Sequence, residues 1–321
     1  MKDYVLNPYD LEAAKRLEDF LPHRLFDAHM HISHNKNTGG GHTTLKDYFL
    51  DTAPLYCGRP VRCNAIVHPG RFLAEPAEME KSLSFLAAQM EENPGCVAEV
   101  QVLPEDTAED VAKRLIHPAF RGLKCYHVFA RRSDTFNASV EEYLPEGAWE
   151  VADQRGLVIT LHLVKDGALA DPDNRNYVKE KAKQYPNAKL ILAHAARSFA
   201  SWTVFDTVDE LKDLENVWFD FSGICESPSL QYVLKTCGVS RCMWGTDYPI
   251  SLLAGKAISL ADRFYWIGER DLKNFVSKTD LRSWHVATEG LYALRQACIL
   301  QDLSSRDIED LFYNNAARLW Q

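Results

Sequence analysis

Several features that would identify a membrane or secreted protein are missing from the sequence. No stretch approaches the roughly 20 apolar residues that span a bilayer. The amino terminus has no apolar run followed by a small-residue cleavage site, so no signal peptide is indicated. The eight cysteines are scattered without a C-x-x-C pair, which favours reduced thiols over disulfides. We therefore expect a cytoplasmic protein with no membrane partner.

Positive charge is also in short supply. The 36 Lys and Arg residues are outnumbered by 45 Asp and Glu, which gives a net charge of −9. Because nucleic-acid surfaces need clustered positive charge, we expect no nucleic-acid partner. A locally basic pocket for a small anionic substrate remains compatible with this balance. The 321 residues suffice for one large α/β barrel or for two ordinary domains.

Short apolar runs alternate with helical patterns along the chain. Most runs are apolar throughout, as in strands that are covered on both faces. The predicted strands are Leu25–His29, Cys63–His68, Val97–Val102, Gly122–Tyr126, Leu157–His162, Lys189–Ala193, Val217–Phe221 and Cys242–Gly245. The first strand is not followed by the glycine-rich turn that is usual in an open doubly wound sheet. The pattern predicts an α/β fold, a single (β/α)8 TIM barrel over residues 1–321 with extra N-terminal and C-terminal helices.

Helix signals place the extra and connecting helices. The leading helix is predicted over Asp10–Leu21 with Asp10 as its N-cap, and a connecting helix over Trp202–Leu214. Further helices are expected within Ile250–Ile299, a region rich in Trp, Tyr and Leu. The glycine-rich stretch 37–41 suits either a lid near a site or a plain surface loop.

Metal-ligating side chains stand at the carboxyl ends of several predicted strands. His29 and His31 lie two apart on the first strand and therefore point to the same side. The fifth strand ends in His162, the sixth in His194 and the eighth in Asp247. In a (β/α)8 barrel these ends meet at the face that carries the active site. Imidazole nitrogens and a carboxylate suit Zn²⁺, which lowers the pKa of a bound water to about 7.

The chain resembles the amidohydrolase superfamily, in the branch called amidohydrolase-2, which holds hydrolases, lactonases and decarboxylases such as aminocarboxymuconate-semialdehyde decarboxylase. The resemblance rests on Phe-Asp-Ala-His-Met-His31, Gly-Leu-Lys124, Leu-His162, Leu-Ala-His194, Trp-Gly-Thr-Asp-Tyr-Pro249 and Asn-Asn-Ala-Ala-Arg-Leu319. It implies that one divalent ion, Zn²⁺ with Mn²⁺ as an alternative, binds to His29, His31, His162 and Asp247. It further implies that His194, beside the metal, transfers a proton or orients the water, and that Asp247 is a general base as well as a ligand.

Other strand ends supply candidates for binding the substrate. Lys124 ends the fourth strand, and the resemblance leaves two roles open for it: polar support of the pocket, or a carboxylated bridge between two metals. Glu99 ends the third strand and is an alternative holder of a second metal. His127 and Arg197 follow strand ends, and the two-pronged donor of Arg197 suits a carboxylate or phosphate group. We therefore place Arg197, Lys124 and His127 in substrate binding.

Three functions remain open at this point. The first is a metal-dependent hydrolase, in which activated water attacks an amide, lactone or ester of a small, possibly anionic substrate. The second is a non-oxidative, metal-dependent decarboxylase of an unsaturated or aromatic acid. The third is an inactive barrel that serves as a binding module. A homodimer formed through the extra helices and a monomer fit the pattern equally well.

Overall fold

Every apolar run predicted to be a strand forms one, and neighbouring strands pair in the order of the sequence. The computed structural model describes residues 6–36, 41–268, 271 and 284–321, so residues 37–40 of the glycine-rich stretch lie outside the described residues. The strands are β1 (Leu25–Ile32), β2 (Val61–Val67), β3 (Val97–Gln101), β4 (Phe120–Cys125), β5 (Val158–Leu161), β6 (Lys189–Leu192), β7 (Val217–Asp220) and β8 (Cys242–Met243). They form one parallel sheet in the order β1 to β8.

Backbone hydrogen bonds between the two ends of the sheet close it into a barrel. The Ala28 N–H donates to the Trp244 carbonyl at 3.0 Å, and the Asp247 N–H donates to the His29 carbonyl at 2.7 Å. The His31 N–H donates to the Tyr248 carbonyl at 2.7 Å. These bonds hold Asp247 beside the strand that carries both histidines. The (β/α)8 prediction is confirmed.

Helices connect the strands and extend the barrel at both ends. They are α1 (Pro8–Leu17), α2 (Leu45–Thr52), α3 (Pro76–Glu92), α4 (Ala108–Arg114), α5 (Glu146–Arg155), α6 (Pro172–Gln184), α7 (Ser227–Cys237), α8 (Val286–Leu300), α9 (Ser305–Glu309) and α10 (Asn315–Leu319). The extra helices at both ends are confirmed. Among the described residues, none of the helices has the length and apolar character needed to cross a bilayer.

The amino end of the barrel is plugged by apolar side chains. Phe26 stacks on Trp320 with ring centroids 5.4 Å apart, and Ile191, Trp218 and Met243 pack into the same buried cluster. Trp320 follows α10 directly, so the C-terminal end of the chain covers this face. The polar candidate residues lie at the opposite rim, where the strands end.

One predicted helix is wrong, and one region predicted to be helical is helical only in part. The residues 202–214 form only short 3₁₀ turns, Ser201–Thr203 and Val208–Leu211. Asp206 lies between them with a φ of 62°, and this left-handed backbone interrupts a right-handed helix. In the region 250–299, α8 forms as expected, but an antiparallel hairpin of β9 (Gly255–Leu260) and β10 (Arg263–Gly268) precedes it. The run Phe264-Tyr-Trp-Ile267 supplies the aromatic and β-branched residues that favour strands.

Asp10 joins the leading helix to the C-terminal part of the chain. The predicted N-cap is wrong, since Asn7 caps α1 by accepting from the N–H groups of Tyr9 and Asp10. The Asp10 carboxylate is fully buried and accepts hydrogen bonds from the His285 backbone, the His285 ring and the Thr288 hydroxyl. It thereby fixes α1 against the start of α8.

We expect the substitution Asp10→Ala to lower the free energy of unfolding by about 3 kcal/mol, because it removes one partner of a buried charged cluster. Urea denaturation followed by circular dichroism measures the change. The matched control is Glu12→Ala on the same helix. Glu12 forms an exposed ion pair with Arg16, and we expect an effect below about 0.5 kcal/mol there. Equal effects of the two substitutions would contradict this role of Asp10.

Candidate metal and substrate site

A cavity of about 480 Å³ opens at the rim where the strands end. All the residues predicted as metal ligands or catalytic groups line it: His29, His31, His162, His194 and Asp247. Lys124 and Arg197 line it as well. The cavity therefore collects side chains from five different strand ends, as the parallel topology requires.

Three of these side chains converge closely enough to share one ion. His29 Nε2 lies 3.3 Å from His31 Nε2, and His31 Nε2 lies 3.2 Å from Asp247 Oδ1. The third side of the triangle, from His29 Nε2 to Asp247 Oδ1, measures 3.9 Å. Ligands of a tetrahedral zinc ion with bonds near 2.1 Å are separated from one another by about 3.4 Å. The triangle thus has the size of one face of a zinc site.

The protonation of these groups suits metal binding. His29 Nδ1 lies 3.0 Å from the Asp220 carboxylate, so this nitrogen carries the proton and Nε2 keeps its lone pair. Burial lowers the pKa of the His31 imidazole to about 3, so the ring is neutral at physiological pH. Burial would raise the pKa of Asp247, but the hydrogen bond with His31 and the neighbouring imidazoles bring it to about 2. The triangle therefore offers two imidazole nitrogens and one carboxylate oxygen.

Asp220 and Ser222 complete the site, and the sequence reasoning missed both. Asp220 is fully buried, and its Oδ1 accepts from the Ser222 hydroxyl and from the backbone N–H groups of Ser222 and His194. Burial would raise the pKa of Asp220, but the His29 ring holds it well below the ordinary value. Asp220 is the last residue of β7, so its place at a strand end was a usable signal. However, Asp220 is not part of a sequence spacing that is typical of metal ligands.

A second buried carboxylate, Asp27, holds the backbone of β1. It accepts hydrogen bonds from the Thr246 backbone, the Thr246 hydroxyl and the Tyr48 hydroxyl. The backbone N–H of His29 donates to the same carboxylate at 3.1 Å. Gly245 lets the segment after β8 lie close to His29, because a Cβ at position 245 would be only 3.0 Å from the Cβ of His29. The loop after β8 is therefore fastened directly to the His29 position.

The chain from His194 to Arg197 makes a left-handed turn without any glycine. The φ angles are 56°, 48°, 62° and 58° for the four residues, which is a costly conformation for residues with a Cβ. The turn is held by the bond from the His194 N–H to Asp220 and by the bond from the Ser198 N–H to the His194 carbonyl. It brings His194 and Arg197, three residues apart, to the wall of the same cavity.

His194 lies beside the triangle without belonging to it. Its ring stacks on that of His29 with a centroid distance of 5.1 Å. His194 Nδ1 lies 3.0 Å from the Ser222 carbonyl oxygen and donates a hydrogen bond to it. The other ring nitrogen, Nε2, is therefore the one that can accept a hydrogen bond. Burial lowers the pKa of His194, which keeps the ring neutral.

His162 and His127 are not part of the triangle. The His162 ring lies 5.1 Å from the His194 ring, and its Nδ1 is buried with no partner among the described residues. In the described part of the chain, candidate ligand atoms converge in two groups, the triangle and the set of His29, His194 and Asp220. His162 is in neither group, so its role as a ligand stays a prediction. His127 is buried behind Phe136, at a ring distance of 4.4 Å, and contacts Thr135 through Nδ1. The neighbouring Tyr126, by contrast, lines the cavity.

Lys124 brings a buried positive charge to the cavity. It is 1% exposed, and its Nζ has no hydrogen-bond partner in the described part of the chain. Burial lowers its pKa, while the nearby Glu99 opposes that shift. Glu99 itself accepts from Asn64 and Thr160, and burial raises its pKa to about 7. Glu99 belongs to neither of the two groups of candidate ligands among the described residues, so a second metal there stays a prediction.

Arg197 brings a second cation to the wall. One guanidinium N–H donates to the Lys165 carbonyl at 3.0 Å. The guanidinium carbon lies 5.9 Å from the centre of the Phe136 ring and 5.2 Å from that of Phe264. The residue is 8% exposed, and its guanidinium lies against two aromatic faces.

Comparisons with known proteins agree with this architecture. Residues 26–321 match the sequence model of a family described as Amidohydrolase. A segment of 173 residues is 27% identical to an L-fucono-1,5-lactonase from Burkholderia ambifaria. That match covers 49% of this chain and only 55% of the relative, so it spans about half the length of that protein.

Two solved structures share the fold at low sequence identity. An amidohydrolase from Burkholderia multivorans with bound zinc is 15% identical with a TM-score of 0.61, over 92% of this chain and 98% of that one. A 5-carboxyvanillate decarboxylase from Sphingomonas paucimobilis is 12% identical with a TM-score of 0.55, over 93% of this chain and 99% of that one.

We expect Asp220→Asn to weaken zinc binding by about 10-fold to 100-fold, because the amide no longer fixes the proton on His29 Nδ1 as a carboxylate does. Competition with a fluorescent chelator measures the affinity. The control is Asp213→Asn, an exposed carboxylate in the loop before β7, for which we expect no change. Unaltered affinity in Asp220→Asn would show that His29 does not depend on this contact.

Proposed function

The chain belongs to the amidohydrolase family, and on that basis we propose that it is a metal-dependent hydrolase that cleaves a lactone, ester or amide of a small anionic substrate. The observation that carries the proposal is the triangle of His29 Nε2, His31 Nε2 and Asp247 Oδ1 on the wall of a rim cavity. A lactone is the favoured bond, because the matched Burkholderia ambifaria relative is a lactonase.

The donor set of the triangle fits a divalent ion. One proton on His31 Nε2 can satisfy the contact with Asp247, but it leaves two imidazole nitrogens 3.3 Å apart with a lone pair on His29. A cation accepts lone pairs from all three groups at once, and nitrogen with carboxylate oxygen is a set that Zn²⁺ prefers. We propose one Zn²⁺ held by His29, His31 and Asp247, with His162 as a further ligand. When bound, such an ion supplies Lewis acidity, which polarises a carbonyl and makes water a better nucleophile.

Two residues of this chain can move the proton. Asp247 is anionic at neutral pH and can accept a proton from the attacking water. The same carboxyl can then donate the proton to the departing alkoxide, which leaves as an alcohol. The Nε2 acceptor of His194 can orient the water, because Nδ1 is committed to the Ser222 carbonyl.

The cations at the cavity wall would bind the anionic part of the substrate. Lys124 Nζ lacks a hydrogen-bond partner among the described residues, although it is buried. Leaving a buried ammonium unpaired is costly, so an anionic ligand gains by supplying the missing partner. Arg197 uses one N–H on the Lys165 carbonyl and is proposed to offer its other donors to the substrate.

We expect Asp247→Asn to lower kcat for lactone hydrolysis by at least about 100-fold, because the amide cannot carry the proton. The rate is measured with a pH indicator on a panel of lactones, and metal content is measured on the same samples. Asp19→Asn, an exposed carboxylate, serves as the control. Undiminished turnover in a metal-loaded Asp247→Asn protein would contradict this role. Release of CO₂ from aromatic acids without lactone hydrolysis would replace the hydrolase by a decarboxylase.

We expect Lys124→Met to raise KM by about 10-fold to 100-fold for a lactone that bears a carboxylate, since a hydrogen bond to a charged group is lost. The KM of an uncharged lactone should change little. The control is Lys183→Met, an exposed lysine on α6. If Lys124 instead bridges two metals, the wild-type protein will contain two equivalents of metal and Lys124→Met will lose metal. That result would contradict the proposed role in binding the substrate.

A further inference from the structure

Two cysteines meet near the beginning of the second and third strands. Cys63 lies on β2, and Cys96 directly precedes β3, while the residues that follow them, Asn64 and Val97, are paired in the sheet. The Cys63 Sγ lies 3.7 Å from the Cys96 Sγ. Neighbouring strands are about 4.8 Å apart, and a disulfide requires Cα atoms that are about 4.4 to 6.8 Å apart. The backbone therefore has a spacing that a disulfide can bridge.

Cys96 borders a cavity at the amino end of the barrel. This cavity of about 880 Å³ is lined by Cys96 together with Phe26 and Trp320, so it lies at the face opposite the rim that carries the triangle. Cys96 is 7% exposed, whereas Cys63 has no exposed surface. A small oxidant that enters this cavity therefore meets Cys96 first.

Positive charge collects around this cavity, although the chain is acidic overall. Among the described residues that line it, three are arginines and one is acidic: Arg24, Arg62, Arg121 and Glu91. Arg62 passes over Gly95, the residue before Cys96, since a Cβ at position 95 would lie 3.1 Å from the Arg62 Nε. A cation beside a thiol favours the thiolate, which is the form that reacts with oxidants.

The two thiols differ in acidity. The hydrogen bond that the Cys63 thiol donates lowers the pKa of Cys96, and the charge of Arg62 lowers it further. Burial raises the pKa of Cys63. Cys96 is therefore the better nucleophile, and Cys63 stays a protonated thiol beside it.

We propose that Cys63 and Cys96 form a modification site, a dithiol that a hydroperoxide oxidises reversibly to a disulfide. The Cys96 thiolate attacks one oxygen of the hydroperoxide, so that an S–O bond forms and the O–O bond breaks. The departing oxygen takes up the proton that Cys96 lost and leaves as an alcohol, or as water when the oxidant is hydrogen peroxide. Cys96 is thereby oxidised to a sulfenic acid.

The second step closes the disulfide. The Cys63 sulfur attacks the sulfenic acid, an S–S bond forms, and the S–O bond breaks. The hydroxide leaves as water with the proton of Cys63. Two thiols are thus oxidised while one peroxide is reduced. The site lies at the end of the barrel opposite the triangle, so it does not rest on the proposed function.

The test treats the purified, reduced protein with hydrogen peroxide, blocks the remaining thiols with N-ethylmaleimide and examines a tryptic digest by mass spectrometry. Trypsin cleaves after Arg62 and Lys81 and so separates Cys57, Cys63 and Cys96 onto different peptides. We expect the Cys63 and Cys96 peptides to be linked, lighter by the hydrogen atoms lost, and to separate again on treatment with a phosphine reductant. If no linked peptide forms, the proposal is wrong.

Cys57 is the internal control. It is half-buried, whereas the other cysteines are buried, so exposure alone predicts that Cys57 reacts first. Burial raises the pKa of Cys57, however, so its thiolate is scarce. We expect Cys96 to be oxidised at least about tenfold faster than Cys57, since one pKa unit changes the thiolate fraction about tenfold. Faster oxidation of Cys57 would overturn the proposal.

Two variants test the order of the steps. In Cys63→Ala the sulfenic acid has no partner, and we expect dimedone to trap it on Cys96. In Cys96→Ala we expect Cys63 to stay reduced. Oxidation of Cys63 in Cys96→Ala at the wild-type rate would contradict the role of Cys96 as the attacking thiolate. The linked peptide is measured in the wild-type protein, so this part of the test does not depend on the folding of either variant.

Discussion

The site depends most on the contact between His29 Nδ1 and the Asp220 carboxylate. This contact sets which nitrogen of His29 carries the proton and so directs the lone pair of Nε2 toward His31 and Asp247. The same carboxylate accepts from the backbone of His194 and from Ser222, so one buried charge also holds the left-handed turn. Without the Asp220 carboxylate, the His29 ring and the backbone N–H of His194 would each lose a buried hydrogen-bond partner.

The barrel explains why so few contacts suffice to build the site. Parallel strands bring their carboxyl ends to one rim, and the closing bonds between β1 and the loop after β8 place Asp247 beside His29. Asp27 reinforces this closure through Thr246 and Tyr48. Burial raises the pKa of Asp27 to about 6, because a charged carboxylate is destabilised away from water. The hydrogen bonds that this carboxylate accepts offset part of that free-energy cost.

The sequence predicted the barrel and the cluster of metal-ligating side chains because both follow from periodic signals. Each strand is an apolar run, and each candidate ligand ends such a run. Asp220 was missed although it also ends a strand, because a carboxylate that orients a ligand has no spacing rule of its own. The turn from His194 to Arg197 could not be predicted either, since Ala-His-Ala-Ala-Arg contains no glycine and its left-handed form is imposed by buried partners. The hairpin was mistaken for helix because aromatic residues alone do not distinguish the two.

Different parts of the chain build the triangle and the aromatic lining of the cavity. The triangle stands on β1 and on the segment that closes the barrel, where a change would disturb the whole sheet. The aromatic side chains of the same cavity, Phe136, Phe199, Phe264 and Trp266, stand on the hairpin and on segments that follow strands. Aromatic side chains line this cavity together with Lys124, Arg197 and Asp247, and charges interact more strongly in apolar surroundings than in water.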